Sequence, residues 1–263
     1  MKLKAAIMLA AFSFMAIAAQ SDEAAFCPER PGQTTPTCVM TDGDTLFESG
    51  LASWSRQRDS LSSQDQWIYG DHLLRHGIGH HTELQFGWRM LVHSADVDRT
   101  TGTHAASSGT GDVTVGLLHN FSSPDGPVAL QVFASLPTGH HPGGAEDWGA
   151  GIRLPLGVAL DGGWTLGLTP EIDAAVNASG RDRHALLGGA VGIGHDITEG
   201  LSASLDLAVF RDQDPAGHAT TAVSSVTLAW QTGPDTQIDA GFAAGLNRHS
   251  PDRQAYVGFA HRF

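Results

Sequence analysis

The chain has few basic residues, few cysteines and no long apolar run, and each shortage argues against a class of protein. Its 263 residues carry 15 lysines and arginines against 28 aspartates and glutamates, and this net charge of −13 argues against a nucleic-acid-binding surface. The two cysteines are not spaced as a CxxC pair, so neither a redox motif nor a cysteine metal site is expected. The mean hydropathy of −0.10 leaves no transmembrane helix beyond the N-terminus. No GxSxG motif is present, and we expect neither a catalytic residue nor a cofactor.

The N-terminus has the pattern of an export signal. Lys2 and Lys4 precede an apolar run over residues 5–19, and Ala16 and Ala18 form a small-x-small cleavage site. The run is shorter than the roughly 20 residues that a spanning helix needs. The pattern predicts a cleaved signal peptide over residues 1–18.

The segment that follows, residues 19–44, is polar, contains prolines and has no clear period. It includes Cys27 and Cys38, and an oxidising compartment favours a disulfide between them. We predict a periplasmic N-terminal segment held by this bond.

The last eleven residues, 253–263, alternate between apolar or ring side chains and small or polar ones. Phe259, His261 and Phe263 occupy every second position up to the terminus. A period of two predicts a strand with two different faces. A terminal phenylalanine in this setting is typical of the closing strand of bacterial outer-membrane barrels, where it serves as the assembly signal.

From residue 45 onward the same period recurs in about twelve segments. In the third, Leu84 and Phe86 alternate with Glu83 and Gln85. A membrane barrel points the apolar set at lipid and keeps the charges in its lumen, whereas a secreted β-sandwich or solenoid would bury the apolar set. The predicted segments are residues 45–58, 66–79, 83–96, 111–121, 127–139, 147–160, 164–176, 184–195, 201–212, 219–230, 236–247 and 253–263.

Short and longer polar connections alternate between these segments, which is the asymmetry of outer-membrane barrels with periplasmic termini. We therefore predict an all-β fold, a transmembrane antiparallel up-and-down β-barrel of about 12 strands over residues 45–263. Its expected location is the bacterial outer membrane.

Three blocks carry a resemblance to a known family: residues 69–79 with 82–87, residues 111–121, and residues 130–139. In this order they resemble outer-membrane transporters labelled with the MetA pathway of phenol degradation. The resemblance implies a channel or transporter for small solutes, aromatic or other hydrophobic compounds among them, and brings no catalytic residues. A barrel enzyme that hydrolyses lipids and a purely structural barrel are the alternatives.

Strand parity assigns a set of charged side chains to the lumen, with acids in excess, and rings of acids bias pores toward cations. The sequence thus predicts a narrow, weakly cation-preferring channel, or one that passes small neutral solutes along a polar wall. If Gly79 pairs with Glu83, Arg89 lies diagonally between Asp71 and Arg75 of the preceding strand. Charges at that separation can interact, so part of the lumen charge is expected to be paired. The predicted lumen residues are Asp71, Arg75, Glu83, Arg89, Asp112, Arg153, Glu171, Asp173, Asp206, Asp239 and Arg262.

The chain has 14 histidines, of which His140 and His141 form a pair in a predicted outer loop. The pair could bind a metal, but scattered histidines at the membrane interface explain the pattern better, so no metal ligand is assigned. The expected partners are outer-membrane lipids, the barrel assembly machinery acting on the last strand, and a small solute of unknown identity; nucleic acid is not expected.

Overall fold

The computed structural model describes residues 26–263, so the predicted signal peptide lies outside the described residues. No helix in this part of the chain is both long enough and apolar enough to cross a membrane. The described residues form fourteen strands. Their bounds are β1 Thr45–Arg58, β2 Ser62–Gly79, β3 Thr82–Asp98, β4 His104–Gly109, β5 Val113–Asn120, β6 Ala129–Leu136, β7 Gly149–Arg153, β8 Leu156–Leu160, β9 Trp164–Val176, β10 Arg183–Thr198, β11 Leu201–Asp212, β12 Ala219–Gly233, β13 Thr236–Gly245 and β14 Arg253–Arg262.

The strands close into a barrel. Apart from two interrupted segments, each strand pairs antiparallel with its neighbours along the chain, and β1 pairs with both β2 and β14. Strands β4 and β5 both pair with β3, and β7 and β8 both pair with β9, so each couple is one interrupted wall segment. The result is the predicted all-β barrel of twelve segments.

The side chains alternate between the two faces of the wall as the period of two requires. On β11, Leu205, Leu207 and Val209 are exposed, whereas the intervening Asp206 and Ala208 are buried. Apolar side chains cover the outer surface and polar side chains line the interior, which is the reverse of their distribution in a water-soluble protein. A lipid environment favours this distribution. The outer face therefore fits a hydrocarbon environment.

Two regions differ from the prediction by more than a shift in the ends of a strand. The segment over residues 147–160 is split, because Pro155 has no N–H to give to the ladder. The register with β9 is the same on both sides of this break. Residues 104–109, predicted as part of an outer loop, form β4 and extend the hairpin with β3.

The two ends of the barrel differ. At one end, called the short-turn end, connections such as residues 80–81, 199–200 and 234–235 have two residues each. At the other, called the loop end, the connections include residues 137–148 and 246–252. Strand β1 begins, and β14 finishes, at the short-turn end.

Candidate functional site

Residues 26–42, which precede β1, fold into the barrel lumen and are called the plug. The predicted Cys27–Cys38 disulfide is present and joins the two arms of this loop. Hydrogen bonds from at least five wall strands reach the plug, as described below. The sequence predicts a periplasmic position for residues 19–44, but the described part lies within the barrel, because the inward side chains of the wall supply partners for its backbone.

The base of the plug is held by a buried ion-pair cluster. Arg75 Nε lies 2.7 Å from Glu83 Oε1, and its Nη1 lies 3.4 Å from Glu48 Oε1. The same guanidinium donates to the carbonyl oxygens of Cys27 at 2.8 Å and Cys38 at 2.9 Å. One arginine thus binds both ends of the disulfide loop, and its side chain is fully buried.

The two acids of this cluster also bind the backbone of the plug. Glu48 accepts the N–H groups of Glu29 and Arg30 at 3.0 and 2.9 Å. Glu83 accepts the N–H of Met40 at 2.8 Å. An irregular segment has no ladder to satisfy its N–H groups, so these carboxylates take that role.

The deepest part of the plug is anchored to β13 and β14. Arg30 donates to both carboxylate oxygens of Asp239, at 2.9 and 3.2 Å. Tyr256 Oη donates to the carbonyl oxygen of Pro31 at 2.9 Å. A Cβ added at Gly258 would lie 2.5 Å from the Arg30 guanidinium, so the absence of a side chain there admits the arginine.

The returning arm of the plug is bound to the opposite wall. Thr169 Oγ1 accepts the N–H of Thr35 at 3.0 Å. Asn120 donates to the carbonyl oxygen of Thr37 at 2.8 Å. The plug is therefore fixed on several sides and divides the lumen into two cavities, of about 550 Å³ toward the loop end and about 510 Å³ toward the short-turn end.

Charge pairs line the loop-end cavity. Arg89 Nε lies 3.4 Å from Asp71, and Arg153 Nε lies 3.0 Å from Glu171. The Arg153 guanidinium also lies 4.7 Å above the ring of Phe133. This cavity offers a polar wall with one aromatic face.

The loop over residues 137–148 is folded toward this cavity by one inward acid. Asp112 accepts the N–H of Gly139 and of Ala145, both at 2.8 Å. Gly143 and Ala145 line the cavity itself. The mouth at the loop end is thereby narrowed by a connection that the sequence predicts only as a polar outer loop.

The cavity at the short-turn end has a different wall. Its inward positions on β9 to β12 are small, among them Gly167, Gly192, Gly194 and Ser204. Asp206 is the buried acid on this wall, and Ser204 Oγ donates to it at 2.8 Å; Asp196 of β10 lines the same cavity from an exposed position. Within residues 26–263, Asp206 has no ion-pair partner.

Other predicted residues have the following positions. Asp173 lies opposite Gly151 of β7, and Arg262 pairs with Asp235 of the turn at 2.7 Å. The register of β2 with β3 differs from the one assumed, since Gly79 pairs with Thr82 and Asp71 lies directly opposite Arg89. The tighter turn and a bulge at residue 78 together cause this difference.

Sequence reasoning missed part of the site. The functional residues not singled out are Glu29, Arg30, Glu48 and Tyr256. The period of two in β1 could have identified Glu48, which shares its face with the buried Leu46. No periodic signal covers the two plug residues.

The predicted assembly residues lie on the outer face of β14 or at its end. The Phe259 ring is 5.9 Å from that of Phe47, and His261 Nδ1 is 2.8 Å from Thr236 Oγ1. The Phe263 ring is 4.6 Å from that of His261. They form part of a belt of rings around the short-turn end.

In the described part of the chain, no group of three or more His, Cys, Asp or Glu side chains has a geometry that could hold a metal ion. His140 Nδ1 lies 3.4 Å from Thr110 Oγ1.

Comparisons with known proteins agree with this architecture. A family model described as "Putative MetA-pathway of phenol degradation" matches residues 29–263. No curated protein matches the chain in sequence.

Three solved structures have a similar fold. The COG4313 outer membrane channel from Pseudomonas putida F1 is 13% identical with a TM-score of 0.65, covering 86% of this chain and 98% of its own. The β domain of the Bordetella autotransporter BrkA is 16% identical with a TM-score of 0.55, covering 84% and 100%. The NanC porin is 9% identical with a TM-score of 0.50, covering 82% and 98%. At these identities the likeness establishes the outer-membrane barrel fold.

Proposed function

Since the chain belongs to the family of the putative MetA pathway of phenol degradation, we propose that it is an outer-membrane channel for small solutes, closed in its resting state by the plug. Both termini are periplasmic in this proposal, so the plug enters from the periplasmic side. The observation that carries the proposal is a polar lumen with a cavity on each side of a segment held by hydrogen bonds and ion pairs.

The wall chemistry supports a weak preference for cations. The lumen arginines Arg75, Arg89 and Arg153 each lie beside a carboxylate. Asp206, by contrast, has no arginine partner in the described residues, so the cavity at the short-turn end is left with negative charge. Because part of this charge is screened by mobile ions, the preference should weaken in high salt.

The solute class follows from the family and from the cavity walls. The family description refers to phenol degradation. Phe133 together with Arg153 offers an aromatic face and a hydrogen-bond donor in the loop-end cavity, which suits a small aromatic compound with a polar substituent. Aromatic and other hydrophobic compounds are therefore the proposed solutes.

Planar bilayer recordings test the channel. The ion pair of Arg30 with Asp239 holds the deepest part of the plug, so Arg30→Gln should raise the conductance above that of the unmodified protein. Arg99→Gln is the matched control, because Arg99 lies on an exposed connection at the loop end and binds only a backbone carbonyl. The reversal potential under a salt gradient should show a cation preference.

Two results would contradict the proposal. A clear anion preference would refute the cation assignment, and the absence of conductance in both the unmodified protein and Arg30→Gln would refute the channel. Hydrolysis of phospholipid by the purified protein would instead favour a barrel enzyme.

A further inference from the structure

Most of the arginines outside the lumen lie at one end of the barrel. Within residues 26–263, the arginines that do not face the lumen or the short-turn connections lie at the loop end, either on the outer face or on a connection. They are Arg56, Arg58, Arg99, Arg181, Arg183, Arg211, Arg248 and Arg253. The outer face of the short-turn end instead carries imidazoles such as His76, His119 and His261, each beside a threonine hydroxyl at 2.8 Å.

Three of these arginines form a group called the arginine patch: Arg56 and Arg58 of β1 and Arg253 of β14. Arg56 and Arg253 are direct partners in the β1–β14 ladder. Like charges in directly opposite positions are destabilising unless an anion lies between or above them. The seam of the barrel thus has two positive charges, Arg56 and Arg253, opposite each other, and an anion nearby would stabilise them.

The nearby carboxylates neutralise the patch only in part, since Asp65 pairs with Arg56 and acts on Arg58 only electrostatically. Asp65 receives two hydrogen bonds from Arg56, at 2.9 and 2.6 Å, and a third from Trp54 Nε1 at 2.9 Å. Asp252 is close enough to act on Arg56 electrostatically but forms no ion pair with it. In the described part of the chain, neither Arg58 nor Arg253 makes an ion pair or a side-chain hydrogen bond, so two guanidinium groups remain available.

The height of the patch on the wall indicates what it meets. The row directly below it contains Trp54, paired with Trp67, whose ring lies 5.6 Å from that of His93. The next row down begins the apolar band with Tyr69 and Leu91. Aromatic girdles mark the membrane–water interface of outer-membrane barrels, so the patch lies at the level of lipid headgroups.

We propose that the arginine patch binds the phosphate group of a phosphorylated glycolipid, the lipid A type that forms the outer leaflet. Guanidinium groups bind phosphate oxygens bidentately, and two unpaired arginines beside a third supply the donors for one phosphomonoester. The acyl chains of the same lipid would lie against the apolar band below. This inference rests on the proposed outer-membrane location, with the loop end outward.

Native mass spectrometry of the full-length protein in detergent micelles tests the site with diphosphorylated lipid A as the probe. Arg58→Gln combined with Arg253→Gln should weaken lipid A binding about tenfold or more, as expected for lost hydrogen bonds between charged groups. Arg253→Lys keeps the charge but not the fork of donors and should have an intermediate affinity. Arg248→Gln is the control, because Arg248 lies on the loop over residues 246–252 and contacts His249.

The remaining arms identify the source of the phosphate. Dephosphorylated lipid A should bind the unmodified protein as weakly as lipid A binds the double variant. Equal binding of lipid A by the unmodified protein and the double variant would overturn the site. Full displacement of lipid A by millimolar inorganic phosphate would overturn the lipid assignment in favour of a free anion. Since conductance in phosphatidylcholine bilayers needs no lipid A, normal conductance with failed binding would refute this inference and leave the channel intact.

Discussion

At the scale of single residues, the plug depends on a few buried charges of the wall. Arg75 is fully buried with Glu83 and Glu48, and it also binds the plug backbone on both sides of the disulfide. A buried pair of this kind contributes little compared with a well-packed apolar pair, but removing one partner is costly because it leaves an unpaired buried charge. The cluster therefore ties the stability of the barrel base to the seating of the plug.

Replacing Arg75 by Gln should lower the free energy of unfolding by about 3–5 kcal/mol, since Glu83 and Glu48 lose their cation. Urea titration of the protein in detergent measures this change. Arg89→Gln is the matched control, because the Arg89–Asp71 pair is half exposed and should contribute no more than about 1 kcal/mol. Equal effects of the two substitutions would contradict the importance of burial.

At the scale of elements, the seam between β1 and β14 closes the barrel. The N–H of Phe263 donates to the carbonyl oxygen of Thr45 at 2.9 Å, so the last residue reaches the start of the first strand. Its ring extends the belt formed by His261, Phe259 and Phe47. The terminal residue thus contributes both to the seam and to the exposed belt of rings.

Deletion of Phe263 should reduce the amount of folded protein in the outer membrane far more than deletion of an outer-loop residue such as Gly217. The physical reason is the loss of one seam hydrogen bond together with the exposed terminal ring. Heat-modifiable migration on electrophoresis, measured on isolated membranes, reports the folded fraction. Normal membrane levels after the deletion would disprove the assembly role.

The disulfide of the plug acts on a different element from the wall. Replacing Cys27 and Cys38 by Ser should leave the barrel folded, because the disulfide crosslinks no wall strand. The folded plug should lose about 2–3 kcal/mol of stability, since the bond no longer limits the conformations of the unfolded loop. The expected result is an unchanged heat-modifiable band and more frequent conductance fluctuations in bilayers. Loss of the folded band would show that the bond stabilises the barrel as well.

The elements also show which parts of the structure are readable from sequence. The predicted bounds of β1, β9 and β11 agree with the structure at both ends. In β9 and β11, strict alternation at lipid-facing positions leaves one register of faces possible. Asp71 lies directly opposite Arg89 and not diagonally from it as predicted, because neither the tighter turn nor the bulge at residue 78 has a signal in the periodicity. The plug contacts were not predictable either, since Arg30 and Asp239 are 209 residues apart and the plug has no period.

At the scale of the whole molecule, the wall separates a lipid-facing surface from a polar interior. Leu205 and Phe242 are half exposed on the outside. Ser204, the neighbour of Leu205, donates a hydrogen bond to Asp206 on the inside. Adjacent positions in one strand therefore have opposite requirements for polarity.

Leu205→Lys should cost about 2–4 kcal/mol of unfolding free energy in a lipid environment, because a charge near the bilayer midplane is unfavourable. Ser204→Lys should be tolerated, since its ammonium group can pair with Asp206 in the cavity at the short-turn end, and it should weaken the cation preference. Unfolding in lipid vesicles and reversal potentials measure the two effects. Similar losses of stability for both variants would contradict the assignment of faces.

The path of the plug has a consequence for how the barrel can open. The plug begins near the short-turn end, where Phe26 packs against Met40, Leu46 and Ala260, and it returns to the same end to start β1. A loop that goes in and comes out through one mouth is not threaded through the ring. It can leave the barrel through that mouth while the seam between β1 and β14 stays closed and the backbone hydrogen bonds between the wall strands are kept. Withdrawal of residues 26–42 through this mouth would break the contacts of the plug and leave the strand pairing of the wall unchanged.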